Sequence, residues 1–184
     1  MQSKFIDEPI TYDGSQLQSH WILRNTELRG DAVVSFIGPC RVELDKMVDL
    51  EDVLQKKQIF SESMLHFIIE CFDADLEKMI LRQRLLISQI QQELAGSVAD
   101  KIVRKGDDLF IDHFKLTVSI ATVSPVSTLV HTGINVSSRN TPVPTKGLAD
   151  FNLNPQAFAR SVMNRFVEEM EGVWWARCKV RSVT

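Results

Sequence analysis

Cysteine is scarce in this chain: Cys40, Cys71 and Cys178 are all it has, odd in number and widely separated. That pattern suits a reducing compartment better than a disulfide framework, and none belongs to a CxxC pair. Long apolar runs are missing as well. No stretch approaches the roughly 20 residues of a membrane-spanning helix. The opening residues, MQSKFIDEPI, carry acids and a proline where a secretory leader needs a basic and then an apolar segment. By elimination, a cytoplasmic location is expected. Excess charge of one sign is also lacking: 21 Lys and Arg against 24 Asp and Glu give a net charge of −3. That balance argues against broad attraction to nucleic acid or anionic lipid. Walker, dinucleotide-binding and GxSxG signatures are absent, as are repeats, low-complexity tracts and clean linkers. A chain of 184 residues can bury its own core, so 1–184 is expected to be one domain.

What is present alternates between helical and strand-like patterns. Tyr12-Asp13-Gly14-Ser15 reads as a turn, with Ser15 capping a helix over about Gln16 to Asn25 that buries Leu17 and Trp21. Ala32 to Ile37 is apolar and β-branched between Gly30 and Gly38-Pro39, the pattern of a buried strand ending in a turn. Asp49 to Lys57 places acids early and lysines late, as a short helix prefers. Met64 to Phe72 is a second apolar strand, containing His66 and Glu70. From Asp75 to Leu94 the spacing of Leu76, Ile80, Ile87, Ile90 and Leu94 predicts a helix, with Arg82, Gln83, Gln89 and Glu93 on its outer face and Gly96 ending it. Three strand signals follow, the last running unbroken from Phe114 to Val123 and pairing with Thr128 to Val136. Ser137 to Asp150 is an aperiodic connection with two prolines, long enough to suggest a function. A last helix runs from Pro155 to about Met170; Gly172 interrupts it before a packed Trp174-Trp175 segment. The fold class is α+β, a mostly antiparallel sheet flanked by helices.

Chemistry concentrates on the hairpin. Strand parity puts Phe114, Leu116, Val118 and Ile120 on one face and His113, Lys115, Thr117 and Ser119 on the other. In the partner strand His131, Gly133 and Asn135 share a side. If the two polar sides coincide, the sheet presents a ligand-facing surface, with Gly133 permitting close approach to the backbone. The alternative is a solvated face, although such faces carry Glu, Lys and Arg rather than hydroxyls and glycine. Arg41, in the turn Gly38-Pro39-Cys40-Arg41, is suited to gripping a phosphate or carboxylate, or is an ordinary surface arginine. Cys40 has no neighbour that would activate it. His66 reads as a buried, hydrogen-bonded histidine, since no metal-binding spacing accompanies it.

Lys105-Gly106-Asp107-Asp108-Leu109-Phe110-Ile111, then Phe114-Lys115-Leu116, then Gly133-Ile134-Asn135-Val136 resembles the run of signatures in biotin and lipoate protein ligases. Gly38-Pro39-Cys40, Met47 to Asp52, Met64 to Phe67 and Ser119 to Pro125 resemble a prokaryotic family described as domain of unknown function 366, a name that carries no activity. The ligase resemblance implies a biotin/lipoate ligase-like, class II synthetase-like fold. It also implies that Lys115 contacts the carboxylate of an acid and the phosphate of its acyl-adenylate, with Asp108, Gly133 and Asn135 around it. ATP and an acyl-carrier protein are the cofactor and partner it implies. Two departures accompany it: Ser61-Glu62-Ser63-Met64 stands in place of the glycine-rich adenylate loop, and Asp107 replaces an asparagine.

The leading expectation is therefore a ligase or acyltransferase for a small carboxylic acid, with catalytic Lys115 and with Arg41 or His66 positioning substrate. Asp108, Thr117, Ser119, His131, Gly133 and Asn135 complete the expected ligand site. A non-catalytic module binding a small molecule or nucleotide is the runner-up. A third reading is self-association into a homodimer through a sheet edge or Trp174-Trp175. No metal, membrane or nucleic-acid partner is expected.

Overall fold

The protein is described from a computed structural model covering residues 1–57, 59–98 and 102–183. Its main sheet has five strands in the order β1-β2-β3-β8-β7, where β1 is Gln2–Phe5, β2 Ala32–Val42, β3 Ile59–Cys71, β7 Thr117–Val123 and β8 Thr128–Asn135. Only the edge pair β1–β2 is parallel. A second sheet joins β4 (Ile102–Lys105), β5 (Asp108–Ile111) and β6 (Phe114–Lys115). The helices are α1 (Trp21–Thr26), α2 (Leu50–Leu54), α3 (Leu76–Ala95) and α4 (Pro155–Cys178).

Period-two alternation splits the main sheet into two buried faces. Val33, Leu65, Phe67, Ile69, Val130 and Ile134 pack against α3 and the first half of α4. On the opposite face Ala32, Val34, Phe36, Met64 and Ile68 are covered by the N-terminal segment through Ile6, Tyr12, Trp21 and Ile22, and by Met47. Among the described residues no helix is long and apolar enough to cross a membrane. The three cysteines are free, Cys40 and Cys71 buried and Cys178 exposed.

Several expected boundaries move. The first helix starts only at Trp21, behind a left-handed His20, and Ser15 instead bonds the Asp13 carboxylate. Gly38-Pro39 is not a turn. The strand passes through it with a register shift between Gly38 and Cys40, which accommodates a residue without an N–H while the Pro39 carbonyl takes the Tyr12 amide at 2.9 Å. The buried stripe of α3 is offset from the expected one: Met79 and Leu86 are inside and Leu76 and Ile80 are each 37% exposed. Arg82 and Gln83 are buried because they have partners, Asp73 at 2.9 Å for the arginine, and Asp107 and Ser119 at 3.1 and 2.8 Å for the amide. Gly172 does not interrupt α4, and Trp174 and Trp175 are exposed rather than packed.

Candidate functional site

The long strand expected from Phe114 to Val123 breaks at Leu116, and the break decides where Lys115 goes. Leu116 donates its amide to the Leu109 carbonyl at 2.8 Å and drops its side chain into the core. Lys115 therefore pairs with Phe110 in the small sheet, while Thr117 onward pairs with β8. At this junction Lys115 Nζ meets Asp108 Oδ2 at 2.8 Å, both side chains partly exposed. Burial raises the Asp108 carboxyl above its ordinary range; the lysine opposes that, and Asp107 and Asp52 add to it. On its other edge Lys115 is held by the connection to α4, its amide donating to Pro144 and its carbonyl accepting from Lys146.

Next to the junction, the Asn135 amide donates to the Leu116 carbonyl at 3.2 Å. The Asn135 side chain is almost wholly buried, and its Oδ1 has no hydrogen-bond partner. An orphaned buried carbonyl oxygen costs about 1–3 kcal/mol, so this atom is an unmet acceptor close under the junction.

The register overturns the expected polar face. Thr117 lies opposite Ile134, Val118 opposite Gly133, Ser119 opposite Thr132 and Ile120 opposite His131. The polar side of β7 thus coincides with the apolar side of β8. Thr117 and Ser119 face the helices, where Thr117 Oγ1 accepts the Leu109 amide and Ser119 bonds Gln83 and Thr132. Both faces of this sheet are covered, so hydroxyl content did not mark a ligand side. Arg41 sits between inward-facing Cys40 and Val42, is exposed, and lies over the Phe60 ring. Gly133 is needed for a close approach, but by the protein itself, because a Cβ there would run into Met64 Sδ.

His66 and His131 do come together, in company that strand patterns could not show. His66 Nε2 lies 3.2 Å from the Gly38 carbonyl, which can only accept, so Nε2 carries the proton. His66 Nδ1 then accepts from His131 Nε2–H at 3.0 Å, leaving His131 Nδ1 as a lone pair. Both rings are neutral. Burial pulls His66 down to about 4, against the pull of the Gly38 and Pro39 carbonyls. Burial, with His66 adding to it, holds His131 well below 6.5. Tyr12 caps the pair, its ring 3.6 Å from that of His131 with the planes 9° apart. Its phenol is pushed up by burial, then by Cys40 and Asp13, and the Cys40 thiol is itself pushed up to about 12 by burial. Cys40 is thus an inert core thiol.

Of the expected residues only His131 borders the cavity on this face. Tyr12, Met47, Val48, Asp49 and Ile120 share its wall, and its volume is about 40 Å³, room for a few waters or a small polar group. The covering segment is tied down elsewhere by Glu70, whose carboxylate accepts the His20 amide at 2.7 Å and the Ser127 hydroxyl at 2.8 Å. Tyr12 and the Glu70 contacts carried no signal beyond a turn and a strand parity.

The segment that the resemblance sets in place of a glycine-rich loop is not a loop. Ser61, Glu62 and Ser63 belong to β3; the Ser63 carbonyl takes the Val136 and Ser137 amides, and Glu62 accepts from Asn140 at 2.6 Å. An acid in a strand offers no cradle of free amides. Among the described residues no group of His, Cys, Asp and Glu is arranged to hold a metal.

A family model described as domain of unknown function (DUF366) matches residues 1–181. An uncharacterized protein of Methanocaldococcus jannaschii is 32% identical over 176 residues, spanning 92% of this chain and 79% of its own. A protein of unknown function from Pyrococcus horikoshi is 37% identical with a TM-score of 0.91, over 99% of this chain and 100% of its own. The similar structures also include biotin protein ligases and a T. acidophilum protein described as a putative lipoate protein ligase with bound lipoic acid, the latter with a TM-score of 0.59 at 12% identity over 93% of this chain and 86% of its own. The biotin protein ligase of Aquifex aeolicus, in complex with biotin and ATP, gives a TM-score of 0.61 at 14% identity, over 91% of this chain and 70% of its own. At that identity the likeness establishes the fold, a biotin/lipoate ligase-like α+β domain, and leaves the chemistry to the residues.

Proposed function

This chain belongs to the DUF366 family, and we propose that it binds a small carboxylic acid, or the acyl group derived from one, and acts on it as a ligase or acyltransferase. The observation that carries the reading is the Lys115–Asp108 pair at the sheet junction, 2.8 Å long and still partly open to solvent, with the backbone of Asn135, whose Oδ1 is unpartnered, bonded to the next residue, Leu116. A carbonyl oxygen gains negative charge when a nucleophile adds to its carbon and returns it when the leaving group departs. A fixed ammonium within reach stabilises the charged stage more than the neutral ones. Asp108 fixes the ammonium, and His131 offers a neutral acceptor on the adjoining face.

The test is to incubate the protein with small acids and ATP, and separately with their acyl thioesters, and to follow pyrophosphate exchange and acyl transfer. Turnover that falls roughly 100-fold or more in Lys115→Ala is expected. Absence of both activities, with ligand binding unchanged in Lys115→Ala, overturns the reading.

A second reading is a non-catalytic binding module on the same scaffold, and one observation favours it: residues 61–63 continue a strand where a phosphate loop would lie. A compound that raises the melting temperature through Lys115 without being turned over selects it.

A further inference from the structure

The last turns of α4 are out of keeping with the rest of the molecule. Phe158, Ala159, Val162, Met163 and Phe166 bury the first half of the helix, but residues 171–178 are all exposed and still helical. A helical stretch this short has little stability of its own, and Gly172 and two tryptophans make it a poor helix former besides. Trp174 and Trp175 stand 61% and 65% exposed with their rings stacked, and Val173 is 51% exposed beside them. Between this projecting end and the main sheet runs a groove of about 1060 Å³, walled on the far side by Met1, Asp31, Asp73 and Arg82. Two adjacent exposed tryptophans on an unsupported helix end are the mark of a surface that is covered by something.

The charges say by what. Asp73 is already committed to Lys78 at 2.7 Å and Arg82 at 2.9 Å. On the projecting turns Glu171 and Arg177 have no partner among the described residues, and they lie at equal distances along the helix on either side of Trp174. A wholly acidic or wholly basic partner would leave one of them unmatched. An antiparallel copy of the same helix matches both. A two-fold axis at Trp174 puts Glu171 within reach of Arg177 of the second copy and Arg177 within reach of its Glu171, with Trp174 against Trp174, since residues three apart share a helix face. We propose that the chain is a homodimer joined by antiparallel packing of its α4 C-terminal turns, centred on Trp174. Such a contact is isologous, the commonest form of assembly. Covering what the four tryptophans still expose would remove about 400–650 Å² from water, around a third of what a stable interface buries. The remainder is to come from Met170, four residues before Trp174 on the same face, and the groove walls.

Sedimentation velocity on the full chain, from about 1 to 100 μM, tests this. The wild type is expected to be a dimer in the upper part of that range, and Trp174→Ala to weaken it roughly 30-fold or more, as for a residue at the centre of an interface. Glu171→Arg and Arg177→Glu should each weaken it about tenfold by facing like charges, and the double swap should return affinity close to the wild-type value. The positions are exposed, so folding is untouched, and a circular dichroism melt confirms it. A wild type that stays monomeric at 100 μM overturns the proposal. So does a dimer insensitive to Trp174→Ala, or one that the double swap fails to restore.

Discussion

Lys115 and Asp108 meet at 2.8 Å with 32% and 27% of their side chains exposed, whereas His66 and His131 meet at 3.0 Å and are almost wholly buried. The lengths are alike and the physics is opposite. The first pair is charged, and water still solvates both members, so its net contribution to folding is small and either member can turn to a ligand. The second is neutral because burial forbids charge, and its geometry depends on a fixed count of protons handed from His131 to His66 to the Gly38 carbonyl. One pair is suited to reactivity, the other to holding a face in one arrangement.

The contrast can be broken most forcefully at Tyr12. Removing the ring stacked on His131 in Tyr12→Ala should cost about 3–5 kcal/mol in urea unfolding, the usual loss for a buried aromatic; a loss under about 1 kcal/mol would show that the histidines need no cap. Acid comes next. Because both folded pKa values lie below the unfolded 6.5, the unfolded chain binds more protons between pH 6.5 and about 4. Stability should therefore fall as pH drops through that window, by up to ~1.4 kcal/mol per pH unit for each histidine. His131→Gln should remove about half of that slope. Equal slopes in variant and wild type would mean that the ring is not neutral in the fold. Smallest is Lys115→Ala, expected to move stability by no more than about 1 kcal/mol. A larger loss in the urea midpoint would class Lys115 with the structural groups and dissolve the contrast.

How much of this could be read from the residues follows from how local each signal is. Gly106-Asp107 is a turn, with Gly106 at φ +66°, and that much was local; that Asp108 lies near Lys115 followed only from the resemblance to the ligase signatures, and the ion pair itself came from the structure. The histidine at 66 was legible as buried because its neighbours are apolar on both faces. What stayed hidden depended on register between distant segments. The polar positions of β7 and β8 fall on opposite faces, and nothing in either strand alone fixes that relation. Tyr12 sits near one end of the chain and its partner His131 in β8, so a turn was all its surroundings suggested. Arg82 and Gln83 looked like outer-face residues because polarity predicts exposure only when no partner is waiting inside.

The break at Leu116 has a consequence for how this domain could change over time. Lys115 takes one backbone edge from β5 and the other from Pro144 and Lys146, in a connection that belongs to neither sheet. Lengthening, shortening or stiffening that connection would therefore shift the ammonium relative to the sheet without disturbing a single core side chain. On the function proposed above, variation in what is bound would accumulate there at little cost to folding, with the loop acting as the adjustable arm and the two sheets as its fixed mount.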